Sequence, residues 1–105
     1  MPPMPAPTPT LRVVLYGAEG CHLCEDARAV VVAHLASRAA AGAVSAPLED
    51  VDIHTDETLT RAFMETIPVI EVGGALLELA TSAARLRAFL DAALDAVPAP
   101  PETCP

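Results

Sequence analysis

Cys21 and Cys24 are two thiols separated by His22 and Leu23, in the stretch Gly20-Cys21-His22-Leu23-Cys24. That spacing lets two sulfurs close and reopen a disulfide. A strand-like apolar run precedes the pair and a helix-like run follows it, so Cys21 falls at a helix N-terminus. Unpaired backbone N–H groups and the positive end of the helix dipole stabilise an anionic sulfur at such a place. The thiolate is the nucleophile of disulfide exchange, and the placement therefore points to redox chemistry. Cys24 lies at helical spacing from Cys21 and can attack a mixed disulfide formed there, releasing a reduced substrate. The plainer alternative is two buried cysteines acting as small hydrophobes.

The neighbours act in opposite directions. A protonated His22 would favour the thiolate, whereas the charges of Glu25 and Asp26 oppose it. Acidic residues in a first helical turn are also ordinary partners of the dipole. His34 and His54 belong to no ligand motif, and Cys104, in the proline-rich tail, reads as a free thiol.

The elements that must hold this pair follow from the pattern. Leu11 to Tyr16 is nearly continuously apolar, as in a strand covered on both faces. Gly17 to Gly20 reads as a loop. From about His22 to Ala41, Leu23, Ala27, Val30, Val31, His34 and Leu35 recur at helical spacing, and Gly42 is a stop. Leu48 to Ile53 alternates, with Val51 and Ile53 on one face and Asp50 and Asp52 on the other, which suits a strand with one wet face or an edge position. Thr55 and Asp56 are caps for a short helix through Leu59, Ala62 and Phe63. Pro68 interrupts it. Val69 to Val72 and Ala75 to Leu79 then read as strands joined by a tight Gly73-Gly74 turn. Thr81 or Ser82 caps a last helix with Leu86, Phe89, Leu90, Ala93 and Leu94 on one face. The order β-α-β-α-β-β-α predicts an α/β fold: a four-stranded mixed sheet with helices on both faces.

A chain of 105 residues makes one small domain, expected over residues 11–96, with disordered proline-rich ends at 1–10 and 97–105. The net charge of −8, from 6 basic and 14 acidic side chains, argues against nucleic acid or an anionic membrane as partner. The N-terminal stretch has neither the positive charge nor the hydrophobic block of a secretory signal, and a cytoplasmic location is expected. There a CxxC reads as redox or metal-binding rather than as a structural crosslink.

At this point the chain resembles the glutaredoxin branch of the thioredoxin-like superfamily, over about residues 11–96. Three segments carry the likeness: Leu15 to Cys24, Val51 to Asp56, and Thr66-Ile67-Pro68-Val69-Ile70 running into Gly73-Gly74. The GCHLC form looks most like a set of small bacterial glutaredoxin-like proteins. The resemblance implies Cys21 as nucleophile and Cys24 as resolving thiol. It implies a cis bond at Ile67–Pro68, with the Ile67 N–H and C=O turned toward the active sulfur to pair with an extended substrate. On its own, Pro68 reads as a trans proline opening a strand. Tyr16, by the same analogy, lines the substrate groove.

The chain departs from the family pattern in three places. The stretch that carries a basic residue before the first cysteine reads Gly17-Ala18-Glu19-Gly20 here. The stretch that carries Gly-Gly and an acidic residue reads Glu78-Leu79-Ala80-Thr81-Ser82, where Thr81 and Ser82 offer helix N-terminal amides to a carboxylate. The pair between the cysteines is His22-Leu23 rather than proline and an aromatic.

The expected function is thiol–disulfide exchange on protein disulfides by a monomer, with an external reductant. No tightly bound cofactor or metal is expected, and glutathione is a subsidiary partner. The competing readings are a redox-sensing module without turnover, and metal or iron–sulfur binding through the CxxC. For a metal site, the chain offers no second Cys or His pair at zinc-like spacing.

Overall fold

The computed structural model describes residues 11–96; the expectations for the two ends and for Cys104 lie outside them. The strands are β1 (Val13–Gly17), β2 (Leu48–Asp52), β3 (Val69–Val72) and β4 (Ala75–Leu77), and the helices are α1 (His22–Ala40), α2 (Glu57–Phe63) and α3 (Ala83–Asp95). The sheet order is β2-β1-β3-β4, with β1 and β2 parallel and the other two pairings antiparallel. The long excursion through α1 permits the parallel pair. The Gly73-Gly74 turn, with φ of 56° and 91°, forces the antiparallel hairpin, because both central residues occupy left-handed backbone that glycine adopts freely.

The strand period of two sorts side chains onto the two faces. Val13 and Leu15 of β1 and Ile70 and Val72 of β3 join Ala27, Val31 and Leu35 of α1 and Leu86, Leu90 and Leu94 of α3 in one buried cluster. On the other face, Tyr16 meets Phe63 of α2, with ring centroids 5.0 Å apart. Helices therefore cover both faces.

Expectations change in detail: Gly17 ends β1 rather than opening the loop, and β4 stops at Leu77 rather than at Leu79. Leu23, assigned to the buried stripe of α1, is 53% exposed, and the stripe runs instead through Cys24, Ala27, Val31, Leu35 and Arg38. Ile53 does not extend β2. The Asp52 carboxylate accepts the His54 N–H at 2.9 Å and starts a 3-10 turn over Ile53–Thr55. Asp50 stays on an exposed face of the edge strand β2, as expected, and there Arg28 of α1 donates through Nε to its two oxygens at 3.2 and 3.1 Å.

The caps are Asp56, which accepts the Thr58 N–H at 2.7 Å, and Ser82, which accepts the Arg85 N–H at 3.3 Å. Among the described residues, no helix is long and apolar enough to cross a membrane.

Candidate functional site

Cys21 is the N-cap of α1, with extended backbone at φ −86° and ψ 102°. Its sulfur accepts the Cys24 N–H at 3.1 Å, and its carbonyl accepts the Glu25 N–H at 3.1 Å. One of the otherwise unpaired N–H groups of the first turn is thus aimed at the sulfur. The two sulfurs form a disulfide, with Cα atoms 5.2 Å apart. Cys24 is buried, 7% exposed, whereas Cys21 is partly exposed. A partner therefore reaches the Cys21 sulfur first.

The end of β1 sits directly under the pair. A Cβ added to Gly17 would stand 3.2 Å from Cys24 Cβ and 3.3 Å from Cys24 Sγ. Gly17 does not have a left-handed backbone, so a side chain there is opposed by close contact with Cys24 and not by conformation. Gly17→Ala is expected to destabilise the protein by about 1 kcal/mol or more. The oxidised form should lose more than the reduced form, because the disulfide removes the freedom by which the Cys24 sulfur would step aside. Thermal unfolding of both redox forms checks this; an equal loss in both would mean that the Cβ contact dominates.

Beside Cys24 a groove of about 190 Å³ opens toward β2, lined by Leu15, Gly17, Cys24, Arg28, Asp50 and Val51 among others. Neither this groove nor the constraint at Gly17 was anticipated. The only sequence signal for Gly17 was a glycine closing an apolar run directly before the active loop.

On the opposite side lies the segment before β3. Tyr16 pairs with Val69, and continuing that register by one residue sets Pro68 across from Gly17. The Ile67–Pro68 bond is cis, and Pro68 is fully buried. Contrary to the expectation, the Ile67 N–H is not free for a substrate, because it donates to the Phe63 carbonyl at 3.0 Å at the end of α2. The carbonyls on either side are also engaged: Thr66 O accepts the Leu79 N–H at 2.8 Å and Pro68 O the Ala80 N–H at 2.9 Å. Between them the Ile67 carbonyl receives no donor among the described residues.

The remaining candidates are placed as follows. The Tyr16 hydroxyl donates to Glu71 Oε1 at 3.2 Å. Burial, and then the Glu71 charge, hold its phenol pKa above the usual value. His22 is 93% exposed, with Nδ1 3.6 Å from Glu25 Oε2. The Thr81 N–H is not available to a carboxylate, since it reaches the Leu79 carbonyl at 2.7 Å, and the Ser82 hydroxyl serves as the helix cap.

The family model for the glutaredoxin-like domain (DUF836) matches residues 12–92. The chain belongs to that family. The matched residues run from the strand under the CxxC to the last turns of α3, so the whole arrangement around the disulfide lies inside the family domain. Among solved structures, the protein is similar to the target protein XcR50 from X. campestris. Its X-ray structure is 33% identical, with a TM-score of 0.58, covering 77% of this chain and 97% of that one. Its solution structure is 31% identical, with a TM-score of 0.59, covering 78% and 95%. No curated protein matches the chain.

Proposed function

We propose that this glutaredoxin-like domain is a thiol–disulfide oxidoreductase that reduces protein disulfides through Cys21 and Cys24. The observation that carries the reading is the asymmetry of the pair. Cys21 is the outer sulfur, capping a helix and accepting an N–H, and Cys24 lies buried within bonding reach.

The chemistry balances in two steps. The Cys21 thiolate attacks a substrate disulfide, forms a mixed disulfide, and expels the other substrate sulfur as a thiolate that takes up a proton. Cys24 then gives up its proton and attacks the Cys21 sulfur. This closes the Cys21–Cys24 disulfide and expels the second substrate thiolate. The substrate gains two electrons, the protein loses two, and an external thiol reductant restores the dithiol. The free Ile67 carbonyl supports strand-like pairing of an extended substrate beside the sulfurs. The reading includes a reducing, cytoplasmic setting that keeps the dithiol reduced between turnovers. Glutathione is the subsidiary substrate, since the amide of Thr81 is already engaged and the active loop carries Glu19 where a basic clamp is expected.

Cys24→Ser tests this reading, because it leaves the first step intact and removes the second. Incubated with cell extract, the variant is expected to accumulate mixed disulfides at Cys21 that dithiothreitol releases. A glutathione adduct in place of proteins would make glutathione the main substrate. No captured partner, together with an intact protein that reduces neither a protein disulfide nor a glutathione mixed disulfide, would sink the oxidoreductase reading.

A further inference from the structure

Leu79 is the one non-glycine residue with positive φ among the described residues, at 49°. A bulky L-residue is disfavoured there, because its Cβ crowds the following carbonyl. The conformation has a structural purpose. In an extended chain successive N–H groups point in opposite directions, yet Leu79 and Ala80 donate to Thr66 and Pro68, two carbonyls on the same segment. The left-handed turn brings both N–H groups to one side and fastens this loop to the chain beside the disulfide.

Glycine would make the same turn without strain. The leucine side chain is not repaid by the core either, since Leu79 is 53% exposed, while the next residue, Ala80, is buried. The fold therefore gives no reason for a leucine here. Strain held at a position that the core does not use directs attention to the neighbouring site. Leu79 is hydrogen-bonded to Thr66, one residue from the free Ile67 carbonyl and two from Pro68. Leu23, inside the CxxC, is a second exposed apolar side chain at 53%.

We infer that Leu79 is a specificity residue, which selects disulfides in extended protein segments that carry an apolar side chain next to the attacked cysteine. The Ile67 carbonyl takes a backbone N–H of that segment, and Leu79 covers the apolar side chain. The inference rests on the oxidoreductase reading above and adds a substrate class to it.

The test is a single-turnover reaction, in which fully reduced protein meets one disulfide and its own oxidation is followed. Protein dithiol and substrate disulfide convert to protein disulfide and substrate dithiol, so no further reductant is needed. Three substrates are compared: a synthetic peptide with one intramolecular disulfide and leucine beside the attacked cysteine, the same peptide with serine there, and hydroxyethyl disulfide. The native protein is expected to prefer the leucine peptide over the serine peptide by about fivefold, as one partly covered leucine contact warrants. Leu79→Gly should abolish that preference, leave the hydroxyethyl disulfide rate within about twofold, and raise thermal stability by relieving the strain. Leu79→Met should restore the preference.

A native protein that oxidises on none of the three substrates overturns the oxidoreductase reading itself. A native protein that oxidises on all three without preference overturns only the inference. A Leu79→Gly variant that keeps the preference, or loses all three rates alike, also overturns it.

Discussion

Cys21→Ser is expected to bring disulfide exchange down to the background rate, a loss of about a thousandfold or more, as for removal of a nucleophile. The hydroxyl of serine does not ionise in the range where a thiol does, and an alcohol does not exchange with disulfides. Among the described residues, the one other thiol is Cys24. Cys24 is buried, at the side of the groove that Arg28 and Asp50 also line. The contrast with Cys24→Ser separates the roles. That variant keeps the outer sulfur and the helix N-terminus, so its single-turnover rate of mixed-disulfide formation should stay within about tenfold of the native protein. It should fail to release the product. Rapid mixing with a fluorescent disulfide peptide measures both steps. If Cys21→Ser retained the native rate while Cys24→Ser lost it, nucleophile and resolver would have to be exchanged.

The regions most legible in the sequence are those where one local rule and the global packing agree. Val69–Val72 is a short, mostly apolar run bounded by Pro68 and Gly73-Gly74 and is the strand expected, and Leu86, Leu90 and Leu94 face the core as their spacing requires. The CxxC was legible because strand, loop and helix order place it at a helix start. The less legible features are set by contacts between distant segments. Leu23 fits the helical stripe by spacing, but it falls in the first turn of α1, where the neighbouring Cys24 takes the inward position. Pairing of the Ile67 N–H depends on where α2 ends, at a carbonyl four residues earlier. The left-handed turn at Leu79 follows from two hydrogen bonds to a segment more than ten residues away, and no property of leucine announces it. Gly17 looked like part of a loop because its role is to be absent beside Cys24.

Arg38 is a buried charge near the end of α1, and Arg38→Ala should be strongly destabilising. An arginine at the end of a helix reads as a solvated partner of the dipole. Here it continues the buried stripe, 8% exposed, and joins α1 to α3. Its Nη1 donates to Asp91 at 2.7 Å, Nη2 to Asp95 at 2.6 Å, and Nε to the Val44 carbonyl at 2.7 Å. The two carboxylates sit four residues apart on one face of α3. The sequence held that spacing, but nothing in it named α1 as the partner. Asp91 and Asp95 are 47% and 64% exposed, so water can rehydrate them when the guanidinium is removed. The cost is therefore below that of orphaning a buried charge, and about 2–3 kcal/mol is expected from the lost packing and charge-assisted bonds. For a domain of this size that lowers Tm by about 10–20 °C.

Acidity tests the same junction. His34 Nε2, 2.8 Å away, and then Arg38 hold the Asp91 carboxyl below its ordinary value of 3.8. A carboxyl depressed in the folded state contributes stability that is present above its unfolded value and lost as pH falls through the folded one. The native protein should therefore lose this contribution on acidification below about pH 4, and Asp91→Asn, already without it at neutral pH, should show a shallower decline. Urea unfolding of both proteins between pH 2 and pH 7 reads the difference. Parallel curves would mean that Asp91 is not what fastens α3 to α1 through His34 and Arg38.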